Sequence, residues 1–186
     1  MRLLRMGAVP LLVLPVAWIL FQGLGRDPAA IPSPLIGRPA PAFSAAGMEG
    51  EVIDLEAYRG RPVIVNFWAS WCFECIAEHA VLLRAQQQYD ELVILGVLYQ
   101  DTVRDARSFL ARYGDGGWPN VLDPDSRISI DYGVTGVPES FFIERSGLVR
   151  YKQYGAVTEA VLAAQLPLLM SRASDASDAS PQPSKP

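Results

Sequence analysis

Short, largely apolar runs alternate along the middle of this chain with longer segments rich in helix formers or with apolar residues at helical spacing. "RPVIVNFWAS" (61–70) and "LVILGVLYQ" (92–100) are rich in β-branched and aromatic residues and predict two buried strands. Between them, "CIAEHAVLLRAQQQY" carries helix formers and predicts a helix from Cys72 to about Tyr89. "TVRDARSFLARYG" predicts an amphipathic helix, capped by Asp101 or Thr102 and ended by Gly114. Residues 118–134 read as a short strand, a turn at Asp123 and Pro124, and a short helix. "ESFFIERSGLVRYKQYG" reads as a β-hairpin turning at Ser146 and Gly147, and "TEAVLAAQLPLLM" as a final helix kinked at Pro167. Upstream, "GEVIDLEAYRGR" predicts a short strand and a turn. No internal repeat interrupts the alternation, which predicts an α/β fold with a mainly parallel central sheet.

The two ends depart from this pattern. Met6 to Gly25 form an uncharged, largely aliphatic run of twenty residues behind Arg2 and Arg5, about the length that crosses a bilayer as a helix. A cleaved signal peptide and an uncleaved anchor begin alike. The anchor is the expectation here, because the run is long for a signal core and no A-x-A-like site follows it. Pro10 and Pro15 within it are tolerable in a membrane span. Arg2 and Arg5 place the short N-terminal side in the cytoplasm, so a single-pass inner-membrane protein with an exported domain is expected. "RDPAAIPSPLIGRPAP" (26–41) reads as a proline-stiffened spacer, residues 42–170 as the folded domain, and 171–186, repeating Ser, Asp, Ala and Pro, as a disordered tail.

Composition then narrows the partners. The 186 residues hold 16 Lys and Arg against 20 Asp and Glu. Without Arg2 and Arg5 the exported part keeps 14 basic against 20 acidic side chains, a net charge near −6. With no basic cluster, nucleic acid is excluded as a partner. The length fits one domain, and a monomer is expected.

"FWASWCFEC" holds the only two cysteines, Cys72 and Cys75, where the first buried strand meets the first helix. A disulfide enclosing two residues gains little from loop closure, so a structural staple is a poor reading. Zinc needs about four ligands, whereas Cys72, Cys75 and His79 are three with no second CxxC, so no metal is expected. Haem attachment needs His after the second cysteine, where Ile76 stands. What remains is a redox pair. The free N–H groups and dipole at the helix start favour a thiolate on Cys72, making it the nucleophile and Cys75 the resolving thiol.

"VNFWASWCFEC" resembles the active-site strand and helix start of the thioredoxin superfamily. "WCFECIAEH", "GVTGVPESFFI", "LIGRPAPAF" and the N-terminal anchor narrow the likeness, over residues 35–169, to the membrane-tethered thiol:disulfide interchange proteins of cytochrome c maturation, the DsbE/CcmG type, with ResA and TlpA as relatives. The resemblance implies a thioredoxin-like fold, a central mixed β-sheet flanked by helices. It implies a cis peptide bond before Pro138, which faces the cysteines and presents the Val137 backbone to an extended substrate. Trp71 and Glu139 are implied beside that groove. Trp68 and Trp71 are expected to shape the platform around the thiols. Glu78 matches an acidic position of the family, three residues past Cys75 on the helix. Asn66 stands where thioredoxin has a buried aspartate, which leaves Glu78 as the group for proton transfer and thiol tuning. His79 is given no role. Phe73 and Glu74 fill a dipeptide in which the relatives often carry proline.

The cycle expected is attack of Cys72 on a substrate disulfide, followed by attack of Cys75 on Cys72 to release the reduced substrate, with no cofactor beyond the Cys72–Cys75 disulfide. Glu74, Glu78 and Glu139 oppose the thiolate and no Lys or Arg lies within the motif, so a reductant is expected. The resemblance implies apocytochrome c, through its haem-binding cysteines, as substrate and a membrane electron donor of the CcdA/DsbD type. A general extracytoplasmic disulfide reductase or isomerase acting on other exported proteins is the second reading. A tethered module that binds unfolded chains without turnover is the third. A peroxidase is disfavoured by Ala69, where peroxiredoxins need Thr.

Overall fold

The structure is a computed structural model that describes residues 33–171 and the isolated positions Pro15 and Trp18. Residues 1–5, the other residues of the apolar run at 6–25, spacer residues 26–32 and the tail from 172 to 186 lie outside the described residues. Among the described residues no helix is long and apolar enough to cross a membrane.

In chain order the elements are β1 (Ser44–Ala46), β2 (Val52–Asp54), a 3-10 turn (Leu55–Tyr58), β3 (Val63–Trp68), α1 (Phe73–Gln88), β4 (Val93–Leu98), α2 (Val103–Tyr113), β5 (Asn120–Leu122), α3 (Arg127–Asp131), β6 (Glu139–Ile143), β7 (Val149–Tyr154) and α4 (Glu159–Met170). The main sheet runs in the order β5-β4-β3-β6-β7. β3, β4 and β5 are parallel, while β6 is antiparallel to both β3 and β7, so the sheet is mixed. β1 and β2 form a separate antiparallel pair.

Side-chain alternation along β3 decides what lies on each face. Val63, Val65 and Phe67 enter one buried layer with Phe43, Ile128, Tyr132 and Phe141. Ile64 enters the opposite layer, with Leu82 and Ala85 from α1 and Leu162, Leu166 and Leu169 from α4. Asn66, two residues on from Ile64, is thereby directed to the side of α1. A third cluster joins Trp68, Cys72, Cys75 and Leu98 to Phe109 and Leu110 of α2. Gly96 is required in β4, since a Cβ there would lie 2.2 Å from Asn120 Oδ1 and 2.8 Å from Trp68 Nε1. Those two atoms form a buried hydrogen bond at 3.0 Å.

The spacer expected over 26–41 is corrected at its C-terminal end. Gly37 N donates to Val149 O at 2.8 Å and Ala40 N to Gly147 O at 2.9 Å, and Leu35 and Ala40 pack against the first buried layer. Prolines cannot donate to a sheet, but the residues between them can, and here they do. Of the two candidate caps of α2, Thr102 is the cap: its Oγ1 accepts from Asp105 N at 3.1 Å. α4 continues through Pro167 to Met170.

Candidate active site

β3 ends at Trp68, and the chain turns into α1 with Cys72 as its N-cap. Cys72 Sγ accepts from Cys75 N at 3.1 Å and is joined to Cys75 in a disulfide, so this is the oxidised form. A sulfur at that position meets the unpaired N–H groups and positive end of a helix, which favour its anionic state once reduced. Both cysteines are buried in this form, whereas Trp71 is 59 % and Phe73 85 % exposed beside them. The aromatic side chains, not the sulfurs, dominate the surface offered to a partner.

The turn before Cys72 is held by the neighbouring β4–α2 connection. Asp101 Oδ2 accepts from Ser70 N at 2.5 Å and its Oδ1 from Thr102 N at 2.7 Å. Trp71 Nε1 donates to Gln100 O at 3.3 Å, and Gln100 adopts a φ of 46°, a conformation unusual for a non-glycine residue. Asp101, weighed from sequence only as a helix cap, is therefore part of the frame of the site.

Glu78 lies on α1 one turn beyond Cys75 and is 1 % exposed. Asn66 Nδ2 donates to Glu78 Oε1 at 2.6 Å and also to Ser140 Oγ at 2.9 Å, while Val157 N donates to Glu78 Oε2 at 2.7 Å. Burial raises the Glu78 pKa to about 7; the Val157 and Asn66 hydrogen bonds pull the other way, and Glu74 adds a small upward push. A carboxyl poised near neutrality is suited to exchanging a proton in either direction. The roles of Ser140 and Val157 come from β6 and from the loop before α4, and nothing local in sequence marks them.

His79 packs edge-on against Phe109 and Trp118, and its Nε2 donates to Gly114 O at 2.7 Å. Burial lowers its pKa, ahead of the opposing effects of Gly114 O and Asp115. It ties α1 to the end of α2.

The Val137–Pro138 peptide is cis, and Val137 packs against the cluster that holds both cysteines. Glu139, expected beside the substrate groove and opposing the thiolate, is buried and paired. It is 3 % exposed, its Oε1 accepts from Thr135 N (3.1 Å) and Thr135 Oγ1 (2.6 Å), and its Oε2 is 2.8 Å from Lys152 Nζ. The carboxylate is directed into the protein and neutralised by a lysine that the sequence reading did not weigh. Of the three carboxylates expected to oppose the thiolate, Glu74 is exposed, Glu78 is poised near neutrality and Glu139 is paired. Among the described residues no group of three or more His, Cys, Asp and Glu is arranged to hold a metal ion.

A disulfide at a helix N-terminus, a buried carboxyl one turn behind it and a cis-proline loop packed beside it together suit exchange of a disulfide with an extended partner. The chain is also similar to known proteins. The model of the AhpC/TSA family matches residues 36–152. The thiol:disulfide interchange protein DsbE of Allochromatium vinosum is 38 % identical over 171 residues, covering 90 % of this chain and 94 % of that protein. The thiol:disulfide interchange protein HelX of Rhodobacter capsulatus is 35 % identical over 177 residues, covering 90 % and 99 %. A crystal structure of a thiol:disulfide interchange protein of the thioredoxin family from Chlorobium tepidum superposes with a TM-score of 0.64 at 25 % identity, covering 78 % of this chain and all of that one. With that identity sustained over nearly the full length of both sequences, the chain belongs to the AhpC/TSA family and, within it, to the DsbE-type thiol:disulfide interchange proteins.

Proposed function

We propose that this protein is an extracytoplasmic thiol:disulfide oxidoreductase that reduces exported proteins, with the haem-binding cysteines of apocytochrome c as its substrate. The observation that carries the reading is the Cys72–Cys75 disulfide at the start of α1 with the buried Glu78 carboxyl one turn behind it. The DsbE and HelX relatives, named as thiol:disulfide interchange proteins, support the reaction type. In the reduced protein the Cys72 thiolate attacks one sulfur of a substrate disulfide. The substrate S–S bond breaks, a Cys72–substrate disulfide forms, and the other substrate sulfur leaves as a thiolate that takes up a proton. Cys75 passes its proton towards the Glu78 carboxylate and attacks Cys72 Sγ. The substrate leaves with both thiols reduced, and two electrons have moved from the protein to it.

Glu74 and ionised Glu78 add negative charge to the site and no Lys or Arg lies within the motif, which supports a reductant rather than an oxidant. A membrane electron donor of the CcdA/DsbD type returns the pair to its dithiol form. The apolar run at 6–25 holds the domain at the outer face of the inner membrane.

Trapping tests the reading. A Cys75→Ser variant expressed in the native membrane cannot resolve its mixed disulfide and is expected to retain apocytochrome through a haem-binding cysteine. Recovery of a broad set of exported proteins instead would favour the general reductase. Recovery of none, with insulin reduction unaffected by Cys72→Ser, would overturn the redox reading.

A further inference from the structure

We propose that Lys152 is a positioning residue of the reaction, setting the shape of the loop from Gly133 to Glu139 that offers the Val137 backbone to the substrate. The inference rests on the oxidoreductase reading above.

Lys152 lies on β7, paired across the sheet with Phe141 of β6. Its side chain is 2 % exposed, an unusual state for a lysine. The ammonium donates to Gly133 O at 2.9 Å, at the start of the loop, and lies 2.8 Å from Glu139 Oε2, at its end. Glu139 then reaches back through Oε1 to both the N–H and the hydroxyl of Thr135, in the middle. One cation thus closes a ring through three points of a seven-residue segment, and Val137 and Pro138 lie inside that ring. The faces of Phe141 and Tyr154, 4.8 Å and 4.3 Å from Nζ, enclose the charge further.

Burying two opposite charges is not a favourable way to fill a core, since an apolar pair of similar volume is often as stable or more so. What the pair adds is direction. Hydrogen bonds to Gly133 O and to Thr135 fix the loop backbone in a way that packing alone does not. A substrate strand that pairs with Val137 then meets a preorganised edge and loses less freedom on binding.

The test uses the full-length protein and the double variant Lys152→Met with Glu139→Gln, which removes both charges while keeping side-chain volume. Three measurements are made: denaturant stability, the alkylation rate of reduced Cys72 with iodoacetamide, and steady-state insulin reduction with dithiothreitol as electron donor. Positioning predicts stability and alkylation close to the parent, with KM for insulin raised about fivefold or more and kcat within about twofold, because only binding of an extended chain uses the loop. Thr135→Val, which removes one bond of the ring and no charge, should shift KM in the same direction by a smaller factor. Unchanged KM in the double variant, or equal loss of alkylation and insulin turnover, would overturn the role of Lys152 while leaving the oxidoreductase reading intact. Should the double variant not fold, Thr135→Val decides by the same KM criterion. A parent protein unable to reduce insulin would overturn the oxidoreductase reading and this inference together.

Discussion

Glu78 is where a single charge has the greatest leverage on this site. Its pKa is raised from 4.5 to about 7, so the folded protein disfavours the carboxylate more than the unfolded chain does. The sign follows: folding carries no penalty from this group below pH 4.5, and the penalty grows as pH rises and is full above about 7. Glu78→Gln removes the ionisation, so the variant should gain on the parent between those limits, by on the order of 3 kcal/mol at pH 8 and little at pH 4.5. Urea unfolding at the two pH values checks this, and a pH-independent difference would sink it. In the reduced protein the same variant should lower the Cys72 pKa by up to about one unit and make the pair less reducing by up to ~30 mV. Alkylation titration and glutathione equilibration read those shifts; parental values in both would leave Glu78 a buried structural group. Gly96 is the other sensitive position. Gly96→Ala drives a Cβ into the Trp68–Asn120 hydrogen bond and should cost about 1–3 kcal/mol in denaturant melts.

At the scale of elements, the β3–α1 turn depends on a residue from a different connection. Asp101→Ala leaves Ser70 N–H without its acceptor and should lower stability by about 1–2 kcal/mol, with broader exposure of Trp71 seen in its fluorescence. An unchanged melt and spectrum would show that water replaces the carboxylate at no cost. The strands and helices themselves were legible in sequence: β3 and β4 are apolar runs broken only by Asn66 and Gly96, α1 is a stretch of helix formers, and α2 repeats apolar residues at helical spacing. Asp101 was not, since its partner Ser70 is 31 residues away. Lys152 was hidden by register. β7 aligns Val149 with Ile143, Tyr151 with Phe142 and Lys152 with Phe141, so the irregularity at Phe142/Ile143 leaves Arg150 as an extra residue. That extra residue reverses the alternation, bringing Lys152 back to the face of Val149 and Phe141, where simple alternation from Val149 would have sent it to the other. The pairing that takes Glu139 out of opposition to the thiolate is hidden in sequence for the same reason.

At the scale of the whole molecule, proline content alone misplaced the start of the domain, because the pairing of Gly37 and Ala40 with Val149 and Gly147 spans more than a hundred residues. The apolar run ahead of it yields a direct expectation: full-length protein stays in the membrane fraction after alkaline carbonate washing and keeps its original N-terminus, whereas soluble protein beginning after Gly25 would overturn the anchor. A further expectation joins the fold to the direction of electron flow. Because the Cys72–Cys75 bridge encloses only two residues, its loop-closure effect on the unfolded chain is small. Any stability gap between oxidised and reduced protein therefore reports how the folded site treats the dithiol. By the thermodynamic cycle, a folded pair more reducing than the unfolded one makes the oxidised protein the more stable, by about 1.4 kcal/mol for every 30 mV. A reductant should thus melt higher when oxidised. The gap should widen as pH rises through about 7, where Glu78 ionises and opposes the Cys72 thiolate, and Glu78→Gln should flatten that rise. Calorimetry of both redox forms from pH 5 to 9 makes the comparison, and a reduced protein that melts higher throughout would identify an oxidant.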